Sequence, residues 1–295
     1  MIGEKIIPMT YDIVFKKVWG DPEGIKRLTL LLSICLGIPY EELLGNIEII
    51  ESEKRNRIKK EKIQKNDIVV KVKLSYNSKI NIELNARIGN GILDRNVSYI
   101  SHIFSSQIEN REDYKKIEPV IQINFNKEEI DKKSREIIDK YYIQNSNNHK
   151  LTEKFQIWCI NIEKCYEIWY NKKEEEYSEY ERAIIKLGSL IRVDNIEEFR
   201  EVLGGISMNE ELKSEIEETV EDLNMDDAIF SHFGSEKDMM AMNNSLISEA
   251  KEEGIEEGKI EGKIEIVKNM LAKNIDINTI SEITGMSIEE IDKVE

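Results

Sequence analysis

Two neighbouring stretches decide how this chain folds: residues 67–74 (DIVVKVKL) and residues 80–87 (INIELNAR). The first is rich in β-branched residues and ends in apolar–polar alternation, and the second alternates along its length. Both are therefore predicted to be strands. Turn-forming residues lie between them at 76–78. Because successive side chains of a strand point to opposite faces, Glu83 and Asn85 share the polar face of the second strand.

Helical and strand patterns continue on both sides of this pair. The expected helices span residues 10–18, 25–36 and 93–108, and the expected further strands span residues 46–52, 118–125 and 155–162. Residues 128–150 are expected to form a helix followed by a loop, and every segment after residue 178 has a helical pattern. We therefore predict an α/β protein: a mixed sheet flanked by helices in residues 1–177, then an acidic all-helical C-terminal region in residues 178–295.

Two of the predicted helices carry a stripe of similar residues. In the helix over residues 93–108 the expected buried stripe is apolar; it consists of Val97, Ile100, Phe104 and Ile108. In the C-terminal region a glycine recurs every fourth residue, at positions 254, 258 and 262, which places all three on one face. Each glycine costs up to about 1 kcal/mol relative to alanine, so this face is expected to make a close contact. A homo-oligomer joined through this helix is predicted.

The formal net charge of −16 is unevenly distributed. Residues 1–150 carry 26 basic and 22 acidic side chains, a net charge of +4, whereas residues 151–295 carry 16 basic and 36 acidic ones, a net charge of −20. The strongly acidic second half repels phosphate. Any nucleic acid that binds is therefore expected to contact the first half.

The sequence also excludes some classes of protein. No segment approaches the roughly 20 consecutive apolar residues of a membrane helix, and residues 1–9 lack the pattern of a secretion signal. The three cysteines, Cys35, Cys159 and Cys165, are not spaced as metal ligands and are expected to be reduced residues in or near the core. A cytoplasmic protein that does not contact the membrane is predicted.

Two carboxylates in the strand pair are the candidates for chemistry. Asp67 opens the first strand, and Glu83 lies in the middle of the second. A carboxylate on each of two adjacent strands offers the oxygen ligands that Mg²⁺ prefers. However, a flat hairpin that turns at Asn77 and Ser78 pairs Asp67 near Ile88, so the carboxylates converge only if a strand bends or bulges.

Several short motifs follow one another in order along nearly the whole chain. They are DIVFK at residues 12–16, Asp67 at the opening of a strand, IELN at residues 82–85, RNxxY at residues 95–99, PVI at residues 119–121, and the glycines at 254, 258 and 262. In this order and spacing the sequence resembles the PD-(D/E)XK nuclease superfamily. More narrowly, it resembles the Rpn-type family of recombination-promoting nucleases, which are also called transposases. The resemblance implies a restriction-endonuclease-like fold and DNA cleavage that depends on Mg²⁺, for which Mn²⁺ can substitute.

The resemblance also implies roles for individual residues. Asp67 and Glu83 match the metal-binding carboxylates, and Asn85 matches the third catalytic position. That position usually holds lysine in the superfamily and glutamine in the narrower family. Asparagine carries no charge and cannot act as an acid or base, so Asn85 is expected to orient the attacking water.

Four basic residues are candidates for contacts with the DNA backbone. Lys16 and Arg95 belong to the predicted helices beside the strand pair, and Lys59 and Lys60 belong to the basic segment over residues 54–65. Asp12, four residues before Lys16, is a candidate auxiliary carboxylate. Each of these residues is also compatible with an ordinary solvated surface position.

The predicted function is that of a Mg²⁺-dependent DNA endonuclease. The alternative, favoured by Asn85 and the acidic second half, is a catalytically degenerate nuclease fold that serves as a DNA-binding or oligomeric assembly module. A third interpretation is an interaction protein that does not bind nucleic acid.

Overall fold

The strands pair into one six-stranded mixed sheet. The computed structural model describes residues 5–50, 68–75, 77–86, 91–107, 114–127, 129, 134, 136–226, 229, 231, 262–273, 275–286 and 288–291. The strands are β1 (Ile47–Ile49), β2 (Ile68–Lys73), β3 (Asn77–Asn85), β4 (Val120–Asn126), β5 (Ile138–Tyr142) and β6 (Phe155–Asn161). Their order in the sheet is β1-β2-β3-β4-β6-β5. β3, β4 and β6 are parallel, and the outer strands are antiparallel to their neighbours. The predicted α/β fold with a mixed sheet is confirmed.

The hairpin of β2 and β3 turns earlier in the sequence than predicted. Lys73 pairs with Asn77, so the turn precedes the predicted one at Asn77 and Ser78. The register then runs to the pair of Ile68 with Ile82 at the other end of β2. The turn predicted at Asn77 and Ser78 is therefore wrong, and Asp67 and Ile88, which that turn would have paired, lie outside the described residues. The described register reaches Ile82, one residue before Glu83 on β3.

Helices cover both faces of this sheet. On one face α1 (Asp12–Trp19) packs through Phe15, whose ring centroid is 5.8 Å from that of Phe125 on β4. On the other face α4 (Ile92–Ser105) packs through Ile100 and Ile103 against Val120. Since Phe125 and Val120 point to opposite sides of β4, the two helices lie on opposite faces.

The side of helix α4 that faces the sheet agrees only in part with the predicted stripe, of which Ile100 is buried and Phe104 packs against the same core. Its buried residues are Ile92, Asn96, Ile100 and Ile103. Val97, which was expected in the buried stripe, is 49 % exposed, and Ile108 lies outside the described residues. A polar residue, Asn96, takes one of the buried positions of the helix.

The remaining helices of the first part of the chain belong to the same compact unit as the sheet, which spans Met1–Phe230. They are α2 (Ile25–Leu36), α3 (Tyr40–Leu43), α5 (Ile162–Tyr170), α6 (Glu179–Arg192), α7 (Ile196–Gly205) and α8 (Glu210–Met225). α6 packs on α2 and α5, and α8 packs on α1 and α2. The acidic helices after residue 178 thus contribute to this core, and a functional division at residue 178 stays a prediction.

One expected helix is wrong. Residues 128–150 were predicted to be helical and then irregular, yet residues 138–142 form β5, which pairs antiparallel with β6. The segment is rich in charged residues, which suits an exposed helix. Its pairing with β6 at the edge of the sheet outweighs that local preference.

The second compact unit spans Ser231–Glu295. In its described part, α9 (residues 262–271), α10 (Ile277–Thr284) and α11 (Ile288–Ile291) surround a small core of Val267, Ile280 and Ile291. A Cβ atom at Gly262 would meet no atom within 4 Å. The other two glycines of the stripe, at 254 and 258, lie outside the described residues, and the homo-oligomer stays a prediction.

Two predictions about protein class can be compared with the structure. All three cysteines are free and buried, as expected. Among the helices that the structure describes, none combines the length and apolar composition of a membrane span.

The contact between α5 and α6 predicts opposite effects of two glycine-to-alanine changes. A Cβ at Gly188 in α6 would lie 2.7 Å from both Cβ and Sγ of Cys165 in α5. Gly188→Ala should therefore lower the free energy of unfolding by about 1–3 kcal/mol through overpacking. Gly204→Ala in α7, where the nearest atom is 3.9 Å away, should raise it by up to about 1 kcal/mol through helix propensity.

Urea unfolding of both variants, followed by circular dichroism, measures these changes. Equal effects of the two substitutions would contradict the tight packing of Gly188 on Cys165.

Candidate active site

Six polar side chains lie side by side on the face of the sheet that α4 covers, and we call them the polar row. The parallel register of β3 and β4 pairs Asn81 with Gln122, Glu83 with Asn124, and Asn85 with Asn126. Each of the six is at most 5 % exposed. Burial of a polar group is costly unless the group is hydrogen-bonded. The contacts within the row therefore decide what the row can do.

Glu83 is the one carboxylate of the polar row. Gln122 Nε2 donates to Glu83 Oε2 at 3.4 Å, which is at the long end for a hydrogen bond. Arg95 Nη2, from the first turn of α4, lies 3.7 Å from the same oxygen. A neutral donor and a positive charge thus converge on Oε2.

Asn85 is held at both ends of its amide. Its Nδ2 donates to Asn126 Oδ1 at 2.8 Å, and its Oδ1 accepts a short hydrogen bond from Arg95 Nη2. A carbonyl oxygen has two lone pairs, so Oδ1 retains the capacity for one further donor, such as a water. The expected role of Asn85 in orienting water stays a prediction.

Arg95 links α4 to the polar row. Besides Glu83 and Asn85, its guanidinium carbon lies 5.8 Å from the centre of the Tyr99 ring. Its side chain is 37 % exposed, so the guanidinium lies where the buried row meets solvent. The structure brings Arg95, Glu83 and Asn85 together.

Lys16 and Asp12 lie apart from this group. They form a short ion pair with each other on α1. α1 packs on the opposite face of the sheet, through Phe15 and Phe125. In the part of the chain that the structure describes, neither forms a hydrogen bond or an ion pair with the polar row. Their predicted roles as phosphate contact and auxiliary carboxylate stay predictions.

The other predicted site residues fall in a segment, residues 51–67, that lies outside the described residues. They are Asp67, Lys59 and Lys60. What is described is the neighbour of Asp67: Ile68 pairs with Ile82, the residue before Glu83.

Sequence reasoning assigned a role to only two residues of the polar row, Glu83 and Asn85, and none to Asn81 on the same strand. It identified β4 as a strand but assigned no role to Gln122, Asn124 or Asn126, although these alternate polar residues in an otherwise apolar strand were the available signal. It also missed Asn96, which is 1 % exposed on α4. Neither its amide nor that of Asn81 has a hydrogen-bond partner among the described residues. Each such unpaired group lowers the free energy of unfolding by about 1–3 kcal/mol. A protein with apolar side chains at these positions would therefore be more stable.

The chemistry of this site suits a hard divalent cation. The polar row consists of the Glu83 carboxylate and five amide side chains, and carboxylate and amide oxygens are the ligands such cations prefer. Within the described residues no three His, Cys, Asp or Glu side chains form a cluster. The described part therefore offers one carboxylate, and the second predicted one, Asp67, lies in the segment over residues 51–67.

Comparison with known proteins agrees with this arrangement. A family model described as PD-(D/E)XK nuclease family transposase matches residues 9–250, which include the whole sheet and α1 to α8. Searches of curated proteins and of solved structures give no match.

Cys159 on β6, beside Asn124, predicts a loss of stability at alkaline pH. Burial raises the pKa of its thiol from the ordinary 9.0 to about 11, although hydrogen bonds with Asn126 and Asn124 act in the opposite direction. Between pH 9 and about pH 11, the Cys159 thiol keeps its proton in the folded state and loses it in the unfolded state. The stabilisation is therefore complete below pH 9 and is lost as the pH rises toward 11.

Urea unfolding between neutral pH and about pH 10.5, where the unfolded thiol has titrated, measures this effect. Above the pKa of the unfolded thiol, the wild type should lose up to about 1.4 kcal/mol per pH unit more than Cys159→Ala. If the free energy of unfolding changes with pH in the same way in the wild type and in Cys159→Ala, the pKa of Cys159 is not raised.

Proposed function

The chain belongs to the PD-(D/E)XK nuclease family transposases, and on this premise we propose that it is a DNA endonuclease that depends on Mg²⁺ or Mn²⁺. The observation that carries the proposal is the buried Glu83 carboxylate, which accepts a hydrogen bond from Gln122 Nε2 and lies 3.7 Å from Nη2 of the partly exposed Arg95. A buried carboxylate with a positive partner at the solvent edge is typical of a functional site.

Glu83 and Asp67 would hold the cation. Ile68, which follows Asp67 in the sequence, pairs with Ile82, the residue before Glu83. This supports the assignment of the two carboxylates to one site. When bound, a divalent cation lowers the pKa of its water and offsets negative charge on the scissile phosphate.

The other residues of the site would position the reactants. Asn85 would accept a hydrogen bond from the attacking water through the remaining lone pair of Oδ1. Arg95 would turn from Glu83 toward a phosphate, since a guanidinium matches phosphate geometry. The basic segment that contains Lys59 and Lys60 would add sequence-independent contacts to the backbone.

A specific observation favours a second candidate, a degenerate nuclease fold that binds DNA without cleaving it. The amide of Asn85 is bonded to Asn126 and Arg95, and Arg95 also neutralises Glu83. The three side chains thus satisfy one another. A site that has lost catalysis would be stable in this arrangement.

Plasmid nicking distinguishes the two candidates. The purified full-length protein should nick supercoiled plasmid with Mg²⁺ or Mn²⁺, and EDTA should abolish the reaction. Glu83→Gln and Asp67→Asn should each reduce nicking to the level with EDTA, because each removes a charged oxygen ligand. Glu48→Gln, which changes an exposed strand carboxylate paired with Lys73 at 2.6 Å, should nick like the wild type.

If the Glu83→Gln variant still nicks the plasmid, the catalytic site lies outside the polar row. A folded wild type that binds DNA but does not nick it with either cation would instead establish the degenerate binding module.

DNA binding without cation tests the role of Arg95. Arg95→Met should weaken binding and reduce the slope of log affinity against log salt by about one, as expected for the loss of one phosphate contact. Arg200→Met is the matched control, because Arg200 on α7 pairs with Glu217 and Glu221 and should leave the slope unchanged. Fluorescence anisotropy with EDTA measures both. An unchanged slope in Arg95→Met would exclude the phosphate contact.

A further inference from the structure

A chain of hydrogen bonds runs from the backbone of β6 through the polar row to Glu83. Asn124 Nδ2 donates to the carbonyl oxygen of Trp158 at 3.3 Å. Gln122 Nε2 then donates both to Asn124 Oδ1 at 3.0 Å and to Glu83 Oε2 at 3.4 Å. Gln122 and Asn124 are both fully buried. The carboxylate is therefore connected to a fixed point of the central sheet.

The donors and acceptors that are available fix the direction of these hydrogen bonds. A backbone carbonyl only accepts hydrogen bonds, so the NH₂ group of Asn124 must face Trp158. Its oxygen then faces Gln122 and requires a donor, which fixes the NH₂ group of Gln122 between Asn124 and Glu83. A reversed Gln122 amide would place its oxygen against two acceptors.

Gln122 and Arg95 differ in what they do when a cation arrives. Arg95 carries a positive charge that repels a divalent cation, and its 37 % exposure leaves it room to move away. Gln122 is neutral and is enclosed between the sheet and α4, so it neither competes with the cation nor has space to leave. Of these two contacts of Glu83, the one with Gln122 can therefore persist both without and with a bound cation.

We propose that Gln122 is a positioning residue, which holds the Glu83 carboxylate in the orientation that binds the divalent cation. The inference rests on the proposed function, since it requires Glu83 to be a metal ligand. It also explains why the protein tolerates the unpartnered Gln122 Oε1 in its interior. A side chain chosen for stability alone at this position would be apolar. Partners that orient a metal ligand typically change metal affinity by about 10- to 100-fold when they are removed.

The test is Mn²⁺ binding by the full-length protein, measured by calorimetry without DNA. Gln122→Met keeps the length of the side chain and removes its amide, and it should weaken Mn²⁺ binding about tenfold or more. Asn124→Leu, which leaves Gln122 in place but removes the acceptor that orients it, should weaken binding to a smaller extent. Arg95→Met should bind at least as tightly as the wild type, because it removes a like charge.

Gln156→Met is the matched control. Gln156 on β6 is also a buried glutamine with two hydrogen bonds, to Glu153 and Trp158, but it has no contact with Glu83. Its variant should bind Mn²⁺ like the wild type, so a loss specific to Gln122→Met is not a general effect of a missing buried amide. Circular dichroism confirms folding, and Asn124→Leu serves as the test if Gln122→Met does not fold.

The failure of this inference differs from the failure of the proposed function. Wild-type affinity in Gln122→Met, together with lost binding in Glu83→Gln, would overturn the positioning role and leave the nuclease site intact. Absence of Mn²⁺ binding in the wild type would overturn both. Equal losses in Gln122→Met and Gln156→Met would also overturn the positioning role.

Discussion

The parallel pairing of β3 with β4 is the constraint on which the candidate site depends. Each strand alternates apolar and polar side chains, and their register aligns the polar positions as three pairs on one face. The apolar residues of both strands are thereby directed to the opposite face, where α1 packs through Phe15. A shift of one residue between the strands would bury the polar groups in the main core.

Helix α4 covers a surface of two kinds. Its C-terminal half packs on apolar side chains around Val120, and its first turns lie over the polar row, with Arg95 at the solvent edge and Asn96 buried. The apolar half can hold the helix in place, while the polar half lowers stability through unpaired amides. This division suits a helix that must deliver a charged side chain to a buried carboxylate.

The distribution of charge fits a protein that handles DNA with one part of its surface. The acidic helices α6 to α8 pack in the same compact unit as the sheet, so they are not simply an appendage. Their charge discourages DNA from the surfaces they cover. Under the proposed function, a substrate would approach on the side of α4, where Arg95 is partly exposed.

The sequence by itself determined the elements with strong local signals: the alternation of β3, the helix from Ile25 to Leu36 with glycine after it, and the order of the family motifs. These depend on neighbours along the chain, so periodicity and caps are sufficient to predict them. Glu83, Asn85 and Arg95 were each named as site candidates from the sequence, but the contacts of Arg95 with the other two were not predicted.

Only the tertiary structure decided which side of α4 is buried, that residues 138–142 pair as an edge strand, and that Gln122 and Asn124 face Glu83. Gln122 is 39 residues from Glu83 along the chain, and their contact arises from the register of two parallel strands that are joined through a helix. No local pattern specifies such a register, because it is set by the packing of the whole sheet against the helices on both faces.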